Sequence, residues 1–178
     1  MGDPSQPVIF ISEVGSGVGL ACTEAAIRQY RYNVVGVSND SSDGLQPLLN
    51  SSSFHFVQGD IADQAVQEEA IEVATDEWGH IDALVLIPDG NVPALKGLLD
   101  MLREKLENSQ LPDSVGRVII VSEGFEHDLE AHVKSVTASN SKLVYTLINT
   151  NRSSGSQLDV GKHIVGLAAG ALKRGGKL

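Results

Sequence analysis

The amino-acid sequence predicts an α/β fold: a three-layer sandwich built on a mostly parallel sheet of about five to six strands. Three observations carry that reading. Short β-branched runs recur along the chain, with stretches of helical spacing between them. Most of these runs lack polar alternation, as strands covered on both faces do. A glycine-rich turn joins the first run to the first helical stretch.

Taken in order, the runs are Val8-Ile9-Phe10-Ile11, Val34-Val35-Gly36-Val37, Phe54-His55-Phe56-Val57, Ala83-Leu84-Val85-Leu86-Ile87 and Val118-Ile119-Ile120-Val121. The third alternates more than the others, which suits a place nearer the sheet edge. Between the runs, Leu20, Ala21, Glu24, Ala25, Ile27 and Arg28 space as one helix. Val66, Ala70, Val73, Ala74 and Trp78 space as another. Leu95, Leu98, Leu99, Leu102 and Leu106 form a third stripe, to be buried on its own sheet or offered to a second subunit. Val160 to Leu172 is apolar at helical spacing and ends in Lys173-Arg174-Gly175-Gly176-Lys177, basic residues then glycines, as at a helix C-terminus. The expectation is one domain over 1–178. Residues 1–6 are expected to be disordered, and 149–157 to form a flexible loop before the C-terminal helix.

Length and composition agree with one domain of 178 residues. Aromatics are only 4% of the chain, so the core must come from aliphatic side chains. Asp and Glu number 23 against 13 Lys and Arg, for a net charge of −10. Such a chain repels phosphate backbones, so no nucleic-acid partner is expected. The lone cysteine, Cys22, excludes an internal disulfide framework and a cysteine-based zinc site. No apolar run reaches membrane length, and the N-terminus lacks a signal-peptide pattern, so no membrane partner is expected and the chain reads as cytoplasmic.

After the first run comes Ser12-Glu13-Val14-Gly15-Ser16-Gly17-Val18-Gly19-Leu20. Glycines at 15, 17 and 19 allow a tight turn and close backbone approach. The helix that follows presents unpaired N–H groups and its positive dipole end, which together make an anion site. A plain strand–helix turn remains the alternative. Glu13 opposes phosphate binding unless its carboxylate points outward.

This turn, Gly59-Asp60-Ile61-Ala62-Asp63 and Trp78-Gly79-His80-Ile81-Asp82-Ala83-Leu84-Val85 together resemble the short-chain dehydrogenase/reductase (SDR) family, over about residues 7–148. In that family the turn reads T-G-x-x-x-G-x-G, and Glu13 stands where the first glycine would be. The resemblance implies a Rossmann-like fold binding NAD or NADP. Its cofactor residues would be Gly15, Ser16, Gly17, Val18 and Gly19 at the phosphates, Asp60 and Ile61 at the adenine, and Gly90 from the family's N-N-A-G. Asp40, after the second run, could reach a ribose hydroxyl and favours NAD. No lysine or arginine lies in the turn or that loop, which disfavours NADP. Asn91 stands where the family's helix asparagine would be, or coincides with it.

The catalytic pattern departs from the family's. Arg117 to Ser122 resembles the strand that delivers the catalytic serine, and the second serine position holds Glu123. Ala138-Ser139-Asn140-Ser141-Lys142, read as helical, resembles Y-x-x-S-K with alanine in the tyrosine place. The retained candidates are Lys142, Ser122 and Asn91, without the phenol that transfers the proton. Tyr145, two helical turns on, reads better as a core or interface residue. No sixth strand or P-G turn is read after Leu147-Ile148. His127 and His132 are five apart, a poor metal pair, so no metal is expected. Glu123 with His127 could instead do acid–base work.

Three functions follow. The first is an SDR-like protein that has lost hydride transfer, with NAD or NADP binding either kept or lost, and acts as a binding, regulatory or scaffolding protein, self-associating or pairing with a related SDR protein. The second is an NAD(P)-dependent oxidoreductase with non-standard residues. The third is a non-redox isomerase or dehydratase. The first is the preferred expectation.

Overall fold

The structure is a computed structural model, and it describes residues 3, 5–15, 17–122, 127–150 and 156–168. In chain order the elements are β1 (Val8–Ile11), α1 (Gly17–Ala25), β2 (Asn33–Ser38), β3 (Phe54–Gln58), α2 (Gln64–Trp78), β4 (Ala83–Leu86), α3 (Val92–Glu107), β5 (Gly116–Ser122), α4 (His127–Ala138), β6 (Leu143–Asn149) and α5 (Gln157–Ala168). The six strands form one sheet in the order β3-β2-β1-β4-β5-β6, with every neighbouring pair parallel. All strands therefore point their carboxyl ends to one edge.

Strand residues divide between the two faces with period two. Phe10, Leu84, Leu86, Val118 and Ile120 pack with Leu95, Leu98, Leu99, Leu102 and Leu106 on one side. Ile9, Ile11, Val85, Ile119 and Val121 pack with Cys22, Ile164 and Val165 on the other. The leucine stripe of α3 is wholly buried on its own sheet, so it offers no face to a second subunit. Burial pushes the Cys22 thiol far above its usual range, leaving a small core residue without thiolate character. β3 is an edge strand, as its alternation suggests.

α1 runs on through a wider turn, Ala26–Tyr30, and stops at Arg31 in the left-handed region (φ 57°), where Tyr32 N–H donates to Ala26 O at 2.9 Å. α2 starts at Asp63, whose carboxylate accepts from Ala65 N–H, and ends at Gly79. Asp3, Ser5 and Gln6 fall in the segment expected to be disordered, yet Asn33 Nδ2 donates to Asp3 O at 2.8 Å and Gln6 N–H to the same carbonyl at 3.1 Å.

The largest departure lies at residues 138–149. α4 ends at Ala138, and Leu143–Asn149 is a sixth strand, paired with all of β5 from Gly116↔Leu143 to Ser122↔Asn149. Local chemistry explains it. Thr137 and Ser139 hydroxyls turn back onto helix carbonyls, and Asn140 Oδ1 accepts from Lys142 N–H in a tight turn. Val144, Tyr145, Thr146 and Ile148 then favour an extended chain. The loop expected over 149–157 begins only after Asn149; residues 151–155 and the basic tail 173–177 lie outside the described residues.

Candidate nucleotide site at the carboxyl edge

The crevice sits where the strand order reverses, between β1 and β4, the usual ligand position in open parallel sheets. Ser12 holds the two strand ends together: its backbone N–H donates to Val85 O at 3.0 Å, and its buried hydroxyl accepts from Ile87 N–H at 2.9 Å. Val14 N–H donates to Val37 O at 3.0 Å, so the turn is also fixed to β2.

From there the chain enters the glycine turn. A side chain at Gly19 would overlap the carbonyl oxygen of Glu13, and one at Gly15 would run into the Ser38 hydroxyl. Gly17 opens α1 at φ 54°, a conformation that L side chains rarely adopt. The result is bare backbone at a helix N-terminus with no acidic residue in its first turn. Val18 is half-buried against the second core, and Ser16 lies outside the described residues. Glu13 does not point away from this turn: its Oε1 accepts from Gly15 N–H at 2.6 Å.

The ends of β2 and β3 form the next part of the rim. Ser38 is buried and donates its hydroxyl to Asp40 O at 3.1 Å, while Asp40 itself is exposed. Gln58 Nε2 donates to Asn39 O at 3.2 Å, tying the two strand ends. Asp60 is exposed and accepts from Ala62 N–H at 2.8 Å; Ile61 packs against the first core. Gln67, buried, fixes this loop by donating to Ile61 O at 2.6 Å and to Ala94 O of α3 at 3.3 Å.

On the other side of the crevice, Gly90 is exposed at φ 73°, and Asn91 is the half-buried cap residue of α3, its carbonyl accepting from Leu95 N–H at 3.1 Å. Ser122 is buried at the end of β5, and its carbonyl accepts from Thr150 Oγ1 at 3.3 Å. Glu123 and Glu126 lie outside the described residues. His127 is exposed at the start of α4, whereas His132 pairs with Asp100 at 2.9 Å rather than with His127. Among the described residues no cluster of histidine, cysteine and carboxylates could hold a metal.

Lys142 is not at this edge. It precedes β6, and its carbonyl accepts from Gly116 N–H at the amino end of β5. A seven-residue strand puts it about 20 Å from Ser122. The pairing of Lys142 with Ala138 as a degraded Y-x-x-x-K is therefore corrected: Ala138 ends α4, and a turn and a strand follow. Tyr145 faces Val118, the third residue of β5, also toward the amino edge.

The sequence reading passed over the role of Asp82 and His80, seen only as part of a motif. Asp82 is fully buried at the amino edge and accepts from Val8 N–H at 2.9 Å, Gln110 N–H at 2.5 Å and Ser109 Oγ at 2.9 Å. His80 Nε2 forms an ion pair at 3.1 Å with Asp82 Oδ2, the oxygen that accepts from Val8; Nδ1 lies 2.8 Å from Trp78 O. The carboxylate raises the His80 pKa against the opposing effect of burial. Burial pushes Asp82 up, but His80 and the Val8 and Gln110 amides outweigh it and hold Asp82 below its ordinary value. An acid directly ahead of an apolar strand was the available signal.

No family model matches the chain. It is 25% identical over 162 residues to a 1,2-dihydroxy-1,2-dihydronaphthalene dehydrogenase of Pseudomonas putida, covering 91% of this chain and 56% of that protein. It is 28% identical over 142 residues to an uncharacterized oxidoreductase of Schizosaccharomyces pombe, covering 70% of this chain and 56% of that one. The chain thus spans about half the length of these curated relatives. Among solved structures, a short-chain dehydrogenase/reductase of Saccharomyces cerevisiae superposes with a TM-score of 0.68 at 16% identity, covering 95% of this chain and 92% of that one. A short-chain dehydrogenase/reductase of Brucella melitensis does so at 0.65 and 14% identity, covering 96% and 92%. The sheet is the Rossmann-like sheet of those proteins, and the chain is similar in sequence to a dehydrogenase and an oxidoreductase.

Proposed function

Proceeding from that similarity, we propose that the chain binds a nicotinamide dinucleotide across the carboxyl ends of β1, β2 and β4 and serves as an oxidoreductase with non-standard proton-transfer residues. The glycine turn carries this reading. Its backbone approaches Glu13 and Ser38 too closely for side chains at Gly19 and Gly15, and it opens a helix N-terminus at the switch point of the sheet. Bare backbone at a helix N-terminus suits a pyrophosphate, with the Glu13 carboxylate, which already takes the Gly15 N–H, as the group that opposes it. Gly15, Ser16, Gly17, Val18 and Gly19 would line the phosphates, Asp60 and Ile61 the adenine, Asp40 the ribose, and Gly90, Asn91 and Ser122 the nicotinamide end. The dinucleotide, when bound, supplies or accepts a hydride.

Thermal shift with NAD, NADH, NADP and NADPH tests the reading. Ligand at a hundredfold over its Kd stabilises the fold by about 2.7 kcal/mol. Absence of any shift with all four overturns it.

A second reading, binding or regulation without hydride transfer, is favoured by one observation: Tyr30, Tyr32 and Tyr145 all lie toward the amino edge, away from the crevice. Binding of NADH without oxidation across a panel of carbonyl compounds would support it over the first. A homo-oligomer, or a complex with a related SDR protein, is proposed for either reading, with light scattering as its measurement. No helix among the described residues is long and apolar enough to cross a membrane.

A further inference from the structure

We infer that Glu13 is the residue that makes the turn select NAD over NADP, taking over the part usually played by an acid at the end of β2. The inference rests on the dinucleotide reading above. In parallel sheets of this type, a carboxylate at the end of the second strand accepts the hydroxyls of the first ribose, and a cation there accommodates the 2′-phosphate of NADP. Here the end of β2 is Ser38-Asn39, and the Ser38 hydroxyl is committed to Asp40 O.

Glu13 reaches the same place from β1. Its Oε1 is 2.6 Å from Gly15 N, and Gly15 lies directly against the end of β2. A Cβ built on Gly15 would meet the Ser38 hydroxyl, Glu13 Oε1 at 2.9 Å and Asp40 O at 3.2 Å. One glycine therefore separates the Glu13 carboxylate from the strand end, and the half-buried position keeps that charge from being fully screened.

The sequence on both sides of the turn carries charge of one sign. No lysine or arginine occurs before Arg28, and none between Arg31 and Lys96. Arg28 pairs with Glu24, and Arg31 caps the far end of α1. Asp40, whose carbonyl lies near Gly15, and Asp43 in the same loop add further negative charge. A ribose diol brings hydroxyl donors to a carboxylate, whereas a 2′-phosphate brings like charge to a turn and strand end that contain no lysine or arginine. The residue that replaces the first glycine of the family's turn thus acts as a filter on the ligand.

Fluorescence titration of the full chain with NADH and NADPH tests this, using Glu13→Gln, Glu13→Gly and Asp40→Asn beside the unaltered protein. The unaltered protein is expected to prefer NADH by about a hundredfold. Both Glu13 variants should bring that ratio below about ten, mainly by gaining affinity for NADPH, and Asp40→Asn should move it less. Glu13→Gly supplies the resembled family's own residue and guards against a misfolded Gln variant. An unchanged ratio in both Glu13 variants overturns the inference while leaving the dinucleotide reading intact, as does a shift carried wholly by Asp40→Asn. Failure of every protein to bind either cofactor overturns the dinucleotide reading and this inference with it.

Discussion

Two carboxylates stand at opposite edges of the same sheet and do opposite things. Asp82, at the amino edge, is fully buried and accepts three hydrogen bonds besides its ion pair with His80. Glu13, at the carboxyl edge, is half-buried and accepts from one amide in a turn of bare backbone. The first edge is closed around Asp82; the second carries bare glycine backbone where α1 begins. Parallel strands impose the asymmetry, because every helix that follows a strand starts at the carboxyl edge. Asp82 is satisfied within the protein, although Asn33 Oδ1 and Trp78 Nε1 near the same edge have no partner; the glycine turn at the other edge is the proposed ligand site.

The sharpest way to break the comparison is to open the closed edge. Asp82→Ala strands the Val8 and Gln110 amides and leaves His80 without its counter-charge, which should cost about 3–5 kcal/mol in urea unfolding. A loss below about 1 kcal/mol would mean that the amino edge is not locked in this way. Next comes the open edge. Gly19→Ala forces a methyl into the Glu13 carbonyl, so we expect a loss of about 1–3 kcal/mol together with loss of dinucleotide binding. Unimpaired binding in that variant would remove the turn from the site.

A pH series sharpens the contrast further. The pKa of folded His80 lies above its ordinary 6.5, so its stabilisation is complete below pH 6.5 and is lost as pH rises through the raised value. The pKa of folded Asp82 lies below 3.8, so its contribution is present above pH 3.8 and is lost as pH falls through the lowered value. Melting temperature should therefore decline on the alkaline side in the unaltered protein, and this decline should flatten in His80→Gln. The smallest effect is assigned to Lys142→Ala. An exposed residue at the amino edge should change stability by no more than about 0.5 kcal/mol and leave dinucleotide affinity untouched. A large loss of cofactor affinity there would restore the lysine to the site.

Much of the fold was legible in the residues. Val8 to Ile11, Val118 to Val121 and the leucine stripe of α3 carry periodicities that leave little freedom, and the motif ending in Asp82-Ala83-Leu84-Val85 set the register of β4. The glycine turn was legible as well, because close approach and a left-handed φ leave few residue choices. The stretch from Ala138 to Asn149 was misread for a definite reason. Ser141-Lys142 invited a helical motif, while the strand propensity of Val144, Tyr145, Thr146 and Ile148 pointed elsewhere, and a motif match carries no information about backbone path.

By itself, the sequence determined the class of fold, the position of the glycine turn and the one-sided charge around it, since local spacing and composition are sufficient for these. Only the tertiary structure decided which residues share an edge. Parallel pairing of β6 with β5 moves Lys142 to the end of the sheet opposite Ser122, and the fold of the turn brings Glu13 to the end of β2. Both are consequences of chain path over many residues, where spacing along the sequence no longer reports distance in space.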